Sequence, residues 1–158
     1  MTKELFTQLV SVEQKSLRRF LLALCVGNRE EADDIAQESL IKAYLSSSGY
    51  NDKGKFTAWL YKIAYNTFID HMRSACTMSP LDDAHTVMDR SSADSTFEYQ
   101  ELYQALDGLP PKERTAVLLF YIKGYSINEI AEIVQCSTDA VKKQLSRGRE
   151  HLKKTLER

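Results

Sequence analysis

Three sets of side chains in this 158-residue sequence are spaced to bind rather than to react. The most informative set lies near the C terminus. Ser126-Ile127-Asn128-Glu129 has the Ser-x-x-Glu form of a capping box, in which Ser126 covers backbone donors and Glu129 reaches back. The short helix it opens, Ile127 to Val134, offers Ile130, Ala131 and Val134 for burial, and Gln135-Cys136-Ser137 follows as a turn that Ser137 ends as a cap. Two helices joined by so short a turn, with small Ala131 at the crossing, read as a helix-turn-helix. On the second of them Val141, Leu145, Leu152 and Leu156 line one face, while Asp139, Lys142, Lys143 and Ser146 line the opposite face near its start at Thr138. That end of a recognition helix enters the major groove, where lysine can contact guanine and serine suits several bases. Arg147, Arg149 and Lys153 lie further along, suited to phosphates that set register rather than sequence. An ordinary amphipathic hairpin is the bland alternative, and the polar face favours DNA recognition over it.

The second and third sets lie in the N-terminal half. Over 56–73, Phe56, Trp59, Leu60, Ile63 and Thr67 share a helical face expected to be core; Lys62, Asn66, Ile69 and Arg73 form a second stripe, and Tyr61, Tyr65 and Phe68 a third. Basic and amide groups beside aromatics, next to a loop over 47–54 that carries Tyr50 and Asn51, suit the capture of unstacked bases. From projection alone, aromatics packed on the first helix with Lys62 and Arg73 merely solvated is the simpler reading. In the preceding helix Ala32, Ala36, Ser39, Leu40 and Ala43 face inward, and Asp34, Glu38, Ile41 and Leu45 run along the other side with Gln37 adjacent. Such a stripe could dock a partner helix, or Ile41 and Leu45 could pack on a neighbouring one; projection does not separate the two.

Catalytic chemistry finds little purchase. His71, His85 and His151 do not pair with the cysteines at metal-ligand spacing, His71 and Cys76 being one candidate pair. Asp33 and Asp34 point to different helix faces, and there is no phosphate-cradling glycine-rich loop. No metal, cofactor or small-molecule substrate is expected.

The elements that must position these residues are helices throughout. Apolar periodicity predicts a first helix from Lys3 to Val26, ended by Gly27-Asn28, and a second from Asn28, in an Asn-x-x-Glu start with Glu31, to Ser46. A third runs from Phe56 to Ala75. Periodicity fails over 76–95, a Ser-, Thr- and Asp-rich stretch with Pro80 that reads as a flexible linker. Fully extended, it could span about 65 Å at roughly 3.3 Å per residue. Helical pattern resumes over 96–107, 111–123, 127–134 and 138–157, with Pro111 well placed at a first helical position. The expected architecture is all-α: two small helical domains, 1–75 and 96–158, the second holding the helix-turn-helix.

Composition agrees. About 43% apolar and 27% charged residues describe an ordinary globular protein. The start does not look like a signal peptide, and no apolar run approaches the roughly 20 residues that span a bilayer. Three scattered cysteines, Cys25, Cys76 and Cys136, argue against a disulfide scaffold and for a reducing cytoplasm. The net charge of −1 hides a segregation: residues 137–158 carry +4, whereas 75–95 and 96–136 carry −3 each and 1–74 carry +1. A concentrated basic end can be a footprint for phosphates or a solvated terminal helix.

Taken together, these residues resemble the extracytoplasmic-function (ECF) group of bacterial sigma factors, the specificity subunits of RNA polymerase, over nearly the whole chain. Ala32-Asp33-Asp34-Ile35-Ala36-Gln37-Glu38 is similar to the family's acidic segment, and Phe56-Thr57-Ala58-Trp59-Leu60-Tyr61-Lys62-Ile63-Ala64-Tyr65-Asn66 to its Phe-x-x-Trp-Leu-x-x-Ile-Ala-x-Asn block. Leu109-Pro110-Pro111 through Leu152 looks like the region-four domain. The resemblance implies a non-enzymatic initiation factor. Asp34, Gln37, Glu38 and Ile41 would dock on core polymerase. Tyr50, Asn51, Lys62, Asn66 and Arg73 would hold the melted minus-ten strand. Thr138, Asp139, Lys142, Lys143, Ser146, Arg147 and Arg149 would read the minus-thirty-five duplex of promoter DNA. It also implies a free monomer restrained by a membrane-associated anti-sigma factor. Tyr44 stands where the family often has tryptophan, Gln135 where the turn often has glycine, and Lys143-Gln144 where Ser-Arg is more usual. The competing readings are a self-sufficient dimeric helix-turn-helix repressor or activator, and a small all-α enzyme with a convergent polar pocket.

Overall fold

Thr2 caps the first helix by accepting a hydrogen bond from the Leu5 amide at 3.2 Å, and α1 runs Lys3–Leu24. It stops two residues short of the expected Val26. The Gly27 amide bonds back to Leu22 O and the Val26 amide to Ala23 O, a Schellman closure that puts Val26 itself at φ 49. A β-branched residue is strained there, and left-handed backbone costs an L residue about 1–2 kcal/mol. α2, Arg29–Ser46, starts where expected, with the Asn28 side chain accepting from the Glu31 amide at 3.1 Å. The reciprocal half of that start is not made, because the Asn28 amide is already bonded to Cys25 O. A 3-10 turn over Ser47–Gly49 leads toward α3, Phe56–Met78, which extends three residues into the expected linker. The rest is α4 (Thr96–Asp107), α5 (Pro111–Tyr121), α6 (Ile127–Val134) and α7 (Thr138–Leu156), with no strand among the described residues. The structure is a computed structural model that describes residues 1–50, 54–78 and 96–156; the expected linker beyond Met78, and with it His85, lies outside them.

α1, α2 and α3 form one bundle around Leu17, Phe20, Leu21, Leu24, Ile35, Leu60 and Phe68, all buried. α4 to α7 form the second around Leu106, Leu119, Ile130, Val141 and Leu145. The two do not stand apart. α3 lies on α6, α1 touches α4 and α5, and one continuous apolar cluster runs through both bundles. This contact explains why α6 buries Ile133, which periodicity left out, and only half-buries the expected Val134. With α3 on one side and α5 and α7 on the other, the helix has two covered faces.

Gly148 sets how closely α7 approaches α5. A Cβ at this position would lie 2.7 Å from Val117 Cγ2 and 3.6 Å from both Glu113 Cβ and Glu113 O. Any side chain here must push the two helices apart. Gly148→Ala is therefore expected to destabilise the C-terminal bundle by about 1–3 kcal/mol, the usual cost of overpacking, despite its better helix propensity. The measurement is the urea midpoint; an unchanged or raised midpoint would show that the helices separate freely.

Candidate functional site

The helix-turn-helix is built as its local chemistry dictates. Ser126 Oγ accepts from the Glu129 amide at 3.2 Å and Glu129 Oε1 accepts from the Ser126 amide at 2.9 Å, so both halves of the capping box form. The turn passes through Gln135 in the left-handed conformation, φ 59 and ψ 53. Glycine is the usual residue for that backbone, which is the physical content of the departure seen at this position. Ser137 Oγ then caps α7 by accepting from the Ala140 amide at 3.1 Å. Val141, Leu145 and Gly148 are buried and Leu152 is half-buried, whereas Leu156, expected on the same inner face, is exposed. On the outer side Asp139, Lys142, Lys143, Ser146, Arg147 and Arg149 are all exposed, with half-buried Thr138 at the helix start.

Arg149 is held by a residue that sequence reasoning did not single out. Its guanidinium donates to Tyr121 Oη at 2.9 Å, from 28 positions away, so no local spacing could have signalled it. Behind α7, His151 Nδ1 lies 2.8 Å from Glu113 Oε1, and Glu113 is buried. These side-chain bonds lock α7 against α5 and fix the direction in which its outer face points.

On α3 the three stripes separate cleanly. Phe56, Leu60 and Thr67 are buried, with Trp59 and Ile63 half-buried. The aromatic stripe is core rather than a stacking platform: Tyr61 and Phe68 are buried, and Tyr61 packs on Phe20 of α1 with ring centroids 5.1 Å apart. Burial pushes the Tyr61 hydroxyl up to about 12, a group built to stay neutral. Asn66 and Arg73 are exposed and Lys62 is half-buried, so the polar stripe lies open along the edge of that core. Tyr50 stacks on Trp59 at 4.3 Å, which braces the loop start; Asn51 lies outside the described residues.

α2 presents the expected inward face, with Ile35 added to Ala32, Ala36, Ser39 and Ala43 among its buried residues. Its other side remains uncovered. Ile41 is 58% and Leu45 71% exposed, beside exposed Asp34 and Gln37. Glu38 is not a loose carboxylate: Oε1 lies 2.9 Å from His71 Nε2 and Oε2 3.3 Å from Lys42 Nζ. Lys42 in turn donates to Thr67 Oγ1 at 3.3 Å, tying the cluster to α3.

Residues 9–76 match the Sigma-70 region 2 family and residues 99–152 match Sigma-70, region 4. The ECF RNA polymerase sigma factor SigW of Bacillus subtilis is 31% identical over 169 residues, covering 98% of this chain and 90% of that protein. The chain belongs to the ECF sigma factors. EcfG of Rhodopseudomonas palustris is 31% identical over 140 residues, 87% of this chain and 77% of that one. Among solved structures, the sigma factor RpoE of Bartonella quintana in complex with the anti-sigma factor NepR superposes with a TM-score of 0.83 at 26% identity, over 96% of each chain. This sigma factor is thus a regulatory DNA-binding protein that directs promoter-specific transcription initiation by core RNA polymerase. No helix among the described residues is long and apolar enough to cross a membrane.

The Glu38 cluster yields a direct test. The hydrogen bond from His71, helped by Lys42, holds the Glu38 carboxyl below its ordinary value against the opposing effect of burial. A carboxylate with a lowered folded-state pKa stabilises the fold above its unfolded pKa, and loses that contribution as pH falls through the folded value. In a carboxyl-carbon NMR titration, His71→Ala should raise the Glu38 midpoint toward that of a free glutamate. The acid limb of the stability profile should move to higher pH with it. An unmoved Glu38 midpoint would remove His71 as the cause.

Proposed function

We propose that α2 carries the polymerase-docking face of this sigma factor, with Asp34, Gln37, Glu38 and Ile41 as contacts. The observation that carries this reading is the exposure of Ile41 and Leu45 on a helix whose other side is fully packed, flanked by carboxylates. Large aliphatics left in water beside oriented charge suit an apolar helix with a basic rim. Along α3, Lys62, Asn66 and Arg73, with Tyr50 and Asn51 at the loop, take the unpaired minus-ten strand. On α7, Thr138, Asp139, Lys142, Lys143 and Ser146 read minus-thirty-five base edges, and Arg147 and Arg149 hold phosphates. The chain supplies recognition and no catalysis; polymerase performs the chemistry in the cytoplasm. A membrane-associated anti-sigma factor restrains the monomeric chain between rounds of use; the likeness to RpoE bound to the anti-sigma factor NepR supports the anti-sigma partner.

Reversing charge at Asp34 and Glu38 together, Asp34→Lys with Glu38→Lys, tests the docking face. The double variant should lose co-elution with core polymerase and run-off transcription while keeping its helical circular dichroism. Co-elution at unaltered affinity would sink the assignment.

The α7 face predicts two different losses. Replacing Lys143 with alanine should relax preference at one or two base pairs of the minus-thirty-five element, by about 1–3 kcal/mol for a lost bidentate contact. Replacing Arg149 should weaken all promoters alike and lower the salt slope of holoenzyme binding by roughly one. Identical, sequence-independent effects from both would mean that this face sets register only.

A further inference from the structure

We infer that Tyr121 and Arg149 form a two-donor clasp for a single DNA phosphate at the edge of the minus-thirty-five face, with the Tyr121 hydroxyl as a phosphate ligand in its own right. This rests on the reading that α7 takes the minus-thirty-five duplex, and it adds to that face a residue from a different helix. Tyr121 is the last residue of α5, and the chain is fixed there by the Ile122 and Lys123 amides, which both return to Leu118 O. Its ring stands edge-on to Phe120, with centroids 5.0 Å apart, and the residue is 56% exposed. The hydroxyl is thus held in place and open to solvent. Arg149 supplies the second donor. Lys142, Ser146, Arg149 and Lys153 recur at spacings of four, three and four, so they share one flank of α7, and all four are exposed. From that flank the guanidinium reaches back to donate to Tyr121 Oη at 2.9 Å. Among the described residues it enters no ion pair, so no carboxylate cancels its charge.

The direction of this hydrogen bond decides what the pair can bind. A guanidinium has N–H donors and no acceptor, so the phenol oxygen must accept. The phenol has a single proton, which then turns away from the guanidinium and outward as a donor. Accepting from a cation also polarises the O–H bond and strengthens it. The remaining guanidinium N–H groups lie beside it. Two kinds of donor side by side, with a net positive charge, match an anion that offers two free oxygens. A carboxylate and a phosphodiester share that chemistry. The surroundings favour the phosphodiester, because the pair continues a flank that already carries Lys142 and Lys153, within the segment that holds the +4 excess. Tyr121 therefore fixes register and carries no sequence preference.

Tyr121→Phe removes one oxygen and keeps the ring. Its urea midpoint should match that of the wild type, since among the described residues the hydroxyl bonds only to an exposed guanidinium. Holoenzyme assembled with this variant should bind all promoters about three- to tenfold more weakly, the worth of one hydrogen bond. The hydroxyl is uncharged, so the salt slope should keep its wild-type value, whereas Arg149→Ala lowers it. A second measurement replaces each phosphate of the minus-thirty-five element in turn by an uncharged methylphosphonate. At one position the wild type should lose affinity until it, Tyr121→Phe and Arg149→Ala bind alike. Promoter binding unaltered by Tyr121→Phe, a loss confined to certain promoter sequences, or two variants that respond at different phosphates overturns the inference. A loss in core binding in place of promoter binding also overturns it, and gives the pair to a carboxylate on a protein partner. Failure of the α7 reading itself would look different, because the methylphosphonate series would then leave wild-type affinity unchanged throughout.

Discussion

The guanidinium of Arg114 is the point on which the rest of this fold hangs. It is 6% exposed, and among the described residues its hydrogen bonds go to carbonyls: Nε donates to Leu106 O at 3.0 Å, Nη1 to Leu24 O at 2.6 Å and Nη2 to Leu109 O at 3.0 Å. Burial draws its pKa down, with Asp107, Cys25 and Glu31 acting in the opposite sense from a distance. What offsets the desolvation is the character of its acceptors. Leu24 ends α1 and Leu106 sits in the last turn of α4, where carbonyls lack helical partners and the helix dipole is negative. Neither helix has a basic residue of its own in its last turn. One cation from α5 thus serves two helix ends and the bend at Leu109; truncating it would strand the Leu24 and Leu109 carbonyls at roughly 1–3 kcal/mol each, while Leu106 O keeps the Leu109 amide at 3.0 Å.

From that fixed point the two bundles acquire their mutual placement, and α3 acquires two duties. Its aromatic residues Tyr61 and Tyr65 are core, while the adjoining Asn66 and Arg73 stay in water. Tyr65 and Asn66 are consecutive, so the face used for cohesion and the face proposed for a strand share a border. α2 divides its labour in the same way. Small residues Ala32, Ala36 and Ala43 let it approach α1 and α3 closely, which leaves the larger Ile41 and Leu45 exposed on the face proposed to dock polymerase. Under the proposed reading both helices spend one side on the fold and the other on recognition, an economy expected of a chain this short.

What could be read from sequence follows the range of the interaction. The Ser126–Glu129 box, the Asn28 cap and the start of α5 at Pro111 are made by residues within four positions of one another, and their types announce them. The Lys62, Asn66 and Arg73 stripe was visible because helical periodicity alone places those residues together. Illegible were the features that depend on a distant neighbour: the Schellman closure through Val26, which apolar patterning cannot distinguish from one more turn of helix; Ile133, buried by a helix from the other bundle; Tyr121 under Arg149; and Arg114 on Leu24, 90 positions away. Gln135 belongs to both classes, since the turn was evident and its left-handed backbone was not.

The distribution of charge completes the argument about why recognition is shared with polymerase. The +4 carried by residues 137–158 is concentrated on the exposed side of α7, but Glu129 and Glu132 on α6 are also exposed, on the helix packed directly beside it. At physiological salt a charge acts over about 8 Å, so these carboxylates subtract from the field that nearby phosphates would feel. A few cations so opposed release few counterions, and counterion release supplies most of the affinity of a lone domain for duplex. On the other bundle, the stripe proposed for the minus-ten strand meets bases only after they unstack, at a cost of a few kcal/mol. Each of the two surfaces proposed for DNA is thus only weakly attractive to duplex on its own charge. That distribution accords with promoter-specific initiation by the complex with core polymerase, in which, under the proposed reading, polymerase supplies the remaining phosphate contacts and the chain contributes the few side chains that distinguish one sequence from another.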